Sequence, residues 1–178
     1  MNILAYDKFP SSIEGVKNVE LDELFKESDY ISLHCPLTDE NYHIIDKKAL
    51  EVMKRNVIII NNSRGGLIDT EALLDAIKAR KIAGACLDVY EEESDVFFID
   101  KSNHIMDDNV LLQLIVLPNV IITSHQAFLT NEALENIAST TINNVLNFFG
   151  EQKFNENEIC YKCLNFVDYK KDHKTKFF

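Results

Sequence analysis

The sequence lacks both an excess of positive charge and any long apolar run. It holds 18 Lys and Arg residues against 29 Asp and Glu residues, for a formal net charge of -11. Nucleic acids and anionic membranes attract basic surfaces, so neither is expected as a partner. No apolar run approaches the ~20 residues that a membrane span needs, and the start shows no signal-peptide pattern. We therefore expect a cytoplasmic protein.

Cysteine is also scarce, with four residues in the chain. Cys35 and Cys86 lie in apolar, strand-like runs, which predicts buried, reduced thiols. Cys160 and Cys163 form a lone CxxC motif that has no second pair and only His173 nearby. Zinc and redox sites usually need more ligands than this. We expect no metal site and interpret the CxxC motif as a chance feature of the tail.

Strands and helices alternate along the chain. Apolar or β-branched runs predict strands at residues 3–6, 30–35, 57–60, 82–87 and 120–123. Helical spacing separates them, with candidate caps at Asp46, at Asp69 or Thr70, and at Thr130 or Asn131. This alternation is typical of parallel βα units. The predicted fold class is α/β, with a parallel sheet and flanking helices.

One domain accounts for most of the 178 residues. We assign residues 1–150 to that domain and residues 151–178, which turn polar and charged, to a loosely ordered C-terminal tail. Residues 94–117 form a long connection with an apolar patch at 96–99 and a short predicted helix near 107–114. Both a functional insertion and a simple surface elaboration fit this connection.

Three predicted strands end on residues that suit one reaction. Arg64 follows the strand at 57–60, glutamates at 91–93 follow the strand at 82–87, and His125 follows the strand at 120–123. Ligands bind at the carboxyl ends of strands in an open parallel sheet. A guanidinium binds a carboxylate and polarises a neighbouring carbonyl, while a histidine oriented by a carboxylate transfers a hydroxyl proton. These groups could interconvert a 2-keto acid and a 2-hydroxy acid, with the hydride supplied by a cofactor.

Each of these residues also has an ordinary explanation when it is taken alone. Arg64 followed by two glycines fits a solvated turn at the start of a helix. His125 fits a loop histidine with satisfied hydrogen bonds, and the glutamates at 91–93 fit a solvated face. Their joint placement at three consecutive strand ends favours the interpretation as a site.

Four motifs resemble the D-isomer-specific 2-hydroxyacid dehydrogenase family. They are LHCPLT (residues 33–38), NSRG (62–65), LDVYE (87–91) and HQAFLT (125–130). Within the family, HQAFLT and DVFFIDKSN (95–103) are most similar to the fermentative, bacterial-type D-lactate dehydrogenases. The resemblance runs from about residue 3 to residue 158. It implies a Rossmann-like NAD-binding domain and the interconversion of D-lactate and pyruvate.

The resemblance also implies a role for each matching residue. Arg64 corresponds to the arginine that binds the substrate carboxylate and carbonyl, His125 to the general acid and base, and Glu93 to the carboxylate paired with that histidine. Asp7 corresponds to the acid that binds the adenosine ribose and favours NAD over NADP. The implied cofactor-binding set is Asp7, His34, Cys35, Pro36, Asn62, Ser63, Arg64, Asp88 and His125. Asn62 stands where the family usually has threonine.

The glycine-rich fingerprint of dinucleotide-binding folds is absent from the sequence. None of the five glycines has the GxGxxG spacing that cradles a pyrophosphate. The resemblance therefore implies a sheet without its first, central strand. In the order 3-2-1-4-5-6, we assign residues 3–6 and 30–33 to positions 2 and 3, and expect them to be separated from the strands that carry the catalytic groups. The two halves could pair directly, or another chain could fill the gap.

Two functions remain open from the sequence. The first is an NAD-dependent dehydrogenase acting on a small 2-keto or 2-hydroxy acid, represented by its C-terminal portion, with D-lactate and pyruvate or another 2-keto acid as the substrate pair. The second is an inactive remnant that serves as a binding or assembly module. A homodimer and pairing with a chain that supplies the N-terminal part are the expected assemblies.

Overall fold

The computed structural model describes residues 1–10, 12–93, 97 and 107–149, without the side chains of residues 148 and 149. The tail predicted at 151–178, with its CxxC motif, lies outside the described residues. So does the connection at 94–106, apart from Phe97. The helix predicted near 107–114 is present.

In chain order the elements are β1 (Ile3–Ala5), β2 (Val16–Asn18), α1 (Leu21–Glu27), β3 (Tyr30–Leu33), α2 (Lys47–Val52), β4 (Ile58–Asn61), a 3-10 helix (Gly65–Leu67), α3 (Thr70–Lys78), β5 (Gly84–Leu87), α4 (Asn109–Val116), β6 (Val120–Ile122) and α5 (Asn131–Phe149). Aspartates cap three of these helices. The carboxylate of Asp46 accepts from the Ala49 amide, and that of Asp69 accepts from the Ala72 amide. Asp108 caps α4 in the same way. The caps predicted at Asp46 and Asp69 are confirmed.

A four-stranded parallel sheet in the order β3-β4-β5-β6 forms the centre of the fold. Parallel strands with both faces covered favour continuous β-branched runs, and the segment Ile58–Asn61 shows one. Helices α1 to α4 contact one another in sequence, and α4 also contacts β6. Fully buried side chains of the core include Ile45, Val57, Ile59, Leu67, Leu73, Leu111 and Leu114. The predicted α/β class with a parallel sheet and flanking helices is confirmed.

A second, two-stranded parallel sheet contains β1 and β2. The sequence did not indicate β2, because it has three residues and two of them, Lys17 and Asn18, are exposed. Of the described residues before Phe25, none is buried. This small sheet therefore adds little to the apolar core.

The strand assignment made from the sequence is wrong in one respect. β3 does not pair with β1; it pairs with β4, from Tyr30↔Ile58 to Leu33↔Asn61. β2 and β1 thus take positions 3 and 2 of the dinucleotide-binding order, whereas β3, β4 and β5 take positions 4, 5 and 6. Position 1 falls between β1 and β3, and no described strand occupies it. The strand that carries Arg64 accordingly has neighbours on both sides.

The chain divides into two compact units, and the first spans Met1–Ala127. Helix α5 belongs to the second unit, where the Thr130 hydroxyl accepts from the Ala133 amide. Several apolar residues of α5, among them Leu134, Ile137 and Leu146, are 43–63% exposed. The boundary predicted at residue 150 stays a prediction. No described helix combines the length and the hydropathy needed to cross a bilayer.

Candidate active site

The carboxyl ends of β4, β5 and β6 lie side by side. Asn61 is in register with Leu87, and Leu87 is in register with Ile122. The backbone hydrogen bonds continue past the strands, because the Asp88 amide donates to the Asn61 carbonyl at 2.8 Å and the His125 amide donates to the Asp88 carbonyl at 2.7 Å. The three segments after these strands are therefore held together at one edge of the sheet, as the sequence predicts.

The turn that carries Arg64 is closed by the side chain of Asn61. This side chain is 1% exposed. It accepts from the Ser63 amide at 3.1 Å and donates to the Arg64 carbonyl at 2.9 Å. The Arg64 guanidinium is exposed and donates to the Ser63 carbonyl at 2.7 Å. It forms no ion pair with a carboxylate among the described residues. Its charge can therefore serve an external carboxylate.

Gly65 lets the Arg64 turn pack directly on the segment after β5. A Cβ atom added at Gly65 would lie 2.1 Å from the Tyr90 carbonyl carbon and 2.4 Å from the Glu91 nitrogen. Both atoms belong to the backbone, so only a residue without a side chain allows this approach. The position of Arg64 relative to the 90–93 turn is thus set by direct backbone packing.

His125 and Glu93 form a hydrogen-bonded pair. The His125 Nδ1 atom lies 3.1 Å from Glu93 Oε1, and the two side chains are 31% and 16% exposed. The other carboxylate oxygen of Glu93 accepts from the Tyr90 amide at 3.2 Å. A carboxylate in this position orients the imidazole and selects the ring nitrogen that carries the proton. Of the three glutamates that the sequence left open, Glu93 is the one beside His125, whereas Glu92 is exposed.

Asp88 anchors the loop that carries His125. It is 8% exposed, and it accepts from the Thr123 hydroxyl, from the Gln126 amide at 2.9 Å and from the Ala127 amide at 2.8 Å. Burial alone would raise the pKa of Asp88. The hydrogen bonds from Thr123, Gln126 and Ala127, with nearby His125, outweigh burial and hold this pKa below its ordinary value. The cofactor-binding role that the family resemblance implies for Asp88 stays a prediction.

Replacing Asp88 with asparagine is expected to lower the free energy of unfolding by about 2 kcal/mol at neutral pH, because an amide group would face a backbone donor. Since the pKa of Asp88 is depressed in the folded state, its stabilising effect is present above its ordinary pKa of 3.8 and is lost as pH falls through the lower, folded value. The difference between wild type and Asp88→Asn should therefore shrink in acid.

Urea denaturation at neutral pH and at about pH 3 measures this difference in stability. The matched control is Asp75→Asn, at an exposed aspartate of α3, which should change stability little at either pH. A wild-type advantage that stays constant, or grows, in acid would contradict the role of the Asp88 carboxylate.

Two segments of the implied cofactor set are hydrogen-bonded to each other. The Ser63 hydroxyl donates to the Cys35 carbonyl at 2.6 Å, which links the segment after β4 to the segment after β3. The Pro36 carbonyl accepts from Asn41 at 2.7 Å. Exposed His34 contacts the Ser32 hydroxyl at 2.8 Å. Cys35 and Cys86 are free, as predicted, but partly rather than fully buried.

The remaining two members of the set are both exposed. Asn62 lies beside Ser63 at the end of β4. Asp7 follows β1 in the small sheet, apart from the other candidates, and one of its carboxylate oxygens accepts from the Phe9 amide at 2.7 Å. An exposed carboxylate at a strand end suits a ribose diol. The structure thus groups eight of the nine implied cofactor residues around the four-stranded sheet and places Asp7 on the other sheet.

A second pair of a histidine and a glutamate lies behind the Arg64 turn, and the sequence did not indicate it. Glu91 Oε1 accepts from the Tyr42 hydroxyl at 2.6 Å and lies 2.7 Å from His43 Nε2. Its Oε2 atom accepts from the Thr70 hydroxyl at 3.2 Å. Burial would raise the pKa of Glu91, but the hydrogen bonds from Tyr42 and His43 lower it. His43 and Glu91 are 48 residues apart, so no local spacing connects them.

Comparison with known protein families assigns the fold and the sequence motifs of this chain to one family. Residues 1–127 match the D-isomer specific 2-hydroxyacid dehydrogenase family at its NAD binding domain. The chain belongs to this family. The match covers the whole of the first compact unit, including Arg64, Glu93 and His125. NAD is the cofactor that this domain family binds.

Individual 2-hydroxyacid dehydrogenases support the same assignment. D-lactate dehydrogenase of Escherichia coli is 51% identical over 150 residues, which are 83% of this chain and 46% of that protein. An aromatic 2-oxoacid reductase of Clostridium sporogenes is 47% identical over 148 residues, which are 82% of this chain and 45% of that protein. The NAD-complexed D-isomer specific 2-hydroxyacid dehydrogenase of Lactobacillus delbrueckii ssp. bulgaricus superposes with a TM-score of 0.79 at 31% identity, over 86% of this chain and 47% of that one. This chain spans about half the length of these relatives.

Two features of this domain suit a dinucleotide in their chemistry. The exposed carboxylate of Asp7 can accept hydrogen bonds from a ribose diol, and the strand ends beside Arg64 and His125 are on the side of a parallel sheet where ligands bind. The sequence contains no GxGxxG segment for the phosphates. Among the described residues, no group of three or more His, Cys, Asp or Glu side chains could hold a metal ion.

Proposed function

We propose that this chain carries the catalytic half of an NAD-dependent D-2-hydroxyacid dehydrogenase that interconverts D-lactate and pyruvate. The observation that carries the proposal is the His125–Glu93 pair, at 3.1 Å, on the same sheet edge as the exposed guanidinium of Arg64. A proton donor oriented by a carboxylate and a carboxylate-binding cation are the two groups that reduction of a 2-keto acid requires.

In the proposed mechanism, Arg64 binds the carboxylate of the 2-keto acid and polarises its carbonyl oxygen. NADH, when bound, supplies the hydride that adds to the carbonyl carbon. His125 donates a proton to the carbonyl oxygen and accepts it from the hydroxyl in the reverse direction. Because Glu93 holds Nδ1, this proton is carried on Nε2. Glu93 also stabilises the imidazolium that forms when the hydroxyl is deprotonated.

Pyruvate is the proposed substrate because the E. coli relative is a D-lactate dehydrogenase. The aromatic 2-oxoacid reductase of C. sporogenes shares the same part of the chain at similar identity. The groups that bind the carboxylate and transfer the proton are common to both reactions, so they do not select a side chain. Phenylpyruvate is therefore the comparison substrate for any assay.

A second candidate function is a binding or assembly module without catalysis. Strand edges favour it: among the described strands, β1 and β3 each have one edge without a partner strand, and such edges can pair with another chain. A homodimer and a complex with a relative's N-terminal portion are the proposed assemblies. A cytoplasmic location stays a prediction from the sequence.

An activity assay and calorimetry distinguish the two functions. The purified chain is assayed for NADH-dependent reduction of pyruvate and of phenylpyruvate, alone and mixed with the part of the E. coli relative outside the matched region. We expect pyruvate reduction in the mixture and little by the chain alone, because the phosphates lack their cradle. The same mixture prepared with Arg64→Gln is the matched control, and it should turn over substrate at least about a hundredfold more slowly.

Calorimetric titration with NADH accompanies this assay. Turnover that depends on Arg64 supports the dehydrogenase. A chain that forms a stable complex with the E. coli portion but neither binds NADH nor reduces either keto acid, alone or in the mixture, would overturn the proposed activity and favour the assembly module.

A further inference from the structure

The cluster around Glu91 joins three separate parts of the chain. The Glu91 carboxylate accepts a hydrogen bond from Tyr42 and contacts His43, and both residues lie in the loop before α2. It also accepts a hydrogen bond from Thr70 at the start of α3. The Tyr42 and His43 rings are stacked, with centroids 3.9 Å apart. Two of the three contacts are 2.6–2.7 Å long, which is typical of strong hydrogen bonds to a charged group.

The loop that holds Tyr42 and His43 also supports the Arg64 turn. The His43 amide donates to the Gly66 carbonyl at 2.9 Å. A Cβ atom added at Gly66 would lie 3.2 Å from the Tyr42 ring. His43 adopts a φ of 52°, in the left-handed region that side chains rarely enter. A strained backbone of this kind persists only where the surrounding contacts hold it in place.

Glu91 also begins the turn that positions Glu93. The Glu93 amide donates to the Tyr90 carbonyl at 3.3 Å, and the Glu93 side chain accepts from the Tyr90 amide. One carboxylate, at Glu91, is thus held from the side of the Arg64 turn. The other, at Glu93, contacts His125. Moving Glu91 would therefore move Glu93, the residue that orients the His125 imidazole.

We propose that Glu91 is a positioning residue, whose contacts with Tyr42, His43 and Thr70 set the place of the Glu93–His125 pair relative to Arg64. Any effect of this arrangement of Glu93, His125 and Arg64 on catalysis rests on the proposed dehydrogenase function. The position itself is a property of the folded chain without cofactor or substrate. It can therefore be tested even where no turnover is found.

The test measures the tautomer of His125 by long-range proton–nitrogen NMR correlation of its imidazole. The Glu93 contact favours the Nδ1–H tautomer, whereas an unconstrained neutral imidazole prefers Nε2–H. Glu91→Leu removes all three acceptor contacts. We expect it to shift the His125 tautomer ratio toward Nε2–H by about tenfold, the factor for the loss of one hydrogen bond to a charged group.

Three further variants make the test specific. Glu91→Gln keeps an acceptor oxygen for Tyr42 and His43 and should retain most of the wild-type ratio. Tyr42→Phe removes one hydrogen bond and should shift the ratio in the same direction by about threefold; it replaces Glu91→Leu if that variant does not fold. Glu92→Gln changes an exposed neighbour and should leave the ratio unchanged.

The results separate positioning from simple stabilisation. A shifted tautomer in variants that are fully folded by circular dichroism at the NMR temperature supports the proposal. A lower melting temperature with the wild-type His125 tautomer in both Glu91→Leu and Tyr42→Phe would overturn it, because Glu91 would then only stabilise the fold. Failure of the proposed function appears elsewhere, as the absence of NADH binding and of turnover by the wild-type chain both alone and mixed with the E. coli portion.

Discussion

Replacing Gly65 with alanine is expected to destabilise the folded chain by about 4 kcal/mol or more. The new Cβ atom would lie 2.1–2.4 Å from three backbone atoms of Tyr90 and Glu91. Backbone atoms cannot rotate away as a side chain can, so the Arg64 turn and the 90–93 turn must separate. Urea or thermal unfolding followed by circular dichroism measures the loss.

Two other glycines provide controls with different physical causes. Gly15 has a φ of 80° but nothing within 4 Å of an added Cβ, so Gly15→Ala should cost only about 1 kcal/mol of backbone strain. At Gly66 the added atom would meet side chains of Leu37 and Tyr42 at 3.1–3.4 Å, and these can adjust. An effect of Gly65→Ala no larger than these two would show that the turns are not in backbone contact.

The second large effect is expected at His125. His125→Asn removes the proposed proton donor and should lower kcat for pyruvate reduction by about 10²- to 10⁴-fold. Asparagine is the preferred replacement because His125 has a φ of 53°, and asparagine tolerates the left-handed region better than most residues. Steady-state kinetics on the active mixture measure this loss.

Two variants test whether the loss at His125 reflects proton transfer. Glu93→Gln keeps the imidazole and should reduce kcat less than His125→Asn does. His173→Gln changes a histidine outside the matched residues 1–127 and should have wild-type kinetics. Wild-type kcat in His125→Asn would assign the proton donor to another residue. An equal loss in His173→Gln would point to an effect unrelated to the strand ends.

The sequence predicts the strand ends of this domain well, since residues that follow consecutive parallel strands must meet at one edge of the sheet. Arg64, Asp88 and His125 are placed there by strand order alone. The same reasoning missed β2, whose three residues contain no apolar run, and therefore assigned β3 to the wrong sheet. Counting strands from apolar runs fails where a short strand is exposed on an edge.

Contacts between distant segments are the part of the site that sequence reasoning could not supply. The choice of Glu93 over Glu91 and Glu92 as the partner of His125 came from family motifs, because three adjacent glutamates look alike in a local pattern. The Glu91–His43 contact depends on how the loop before α2 folds over the Arg64 turn. No periodicity or spacing records that packing.

The unequal burial of the two sheets has a consequence for how the first unit opens. Residues 1–10 and 12–24 contribute no buried side chain, whereas β3, β4 and β5 each contribute one or more. The energy that resists local opening is therefore concentrated in the four-stranded sheet. Amide protons of β1 and β2 can exchange with solvent through fluctuations that leave the catalytic strand ends folded. Asp7, at the end of β1, then belongs to a less protected cooperative unit than Arg64 and His125.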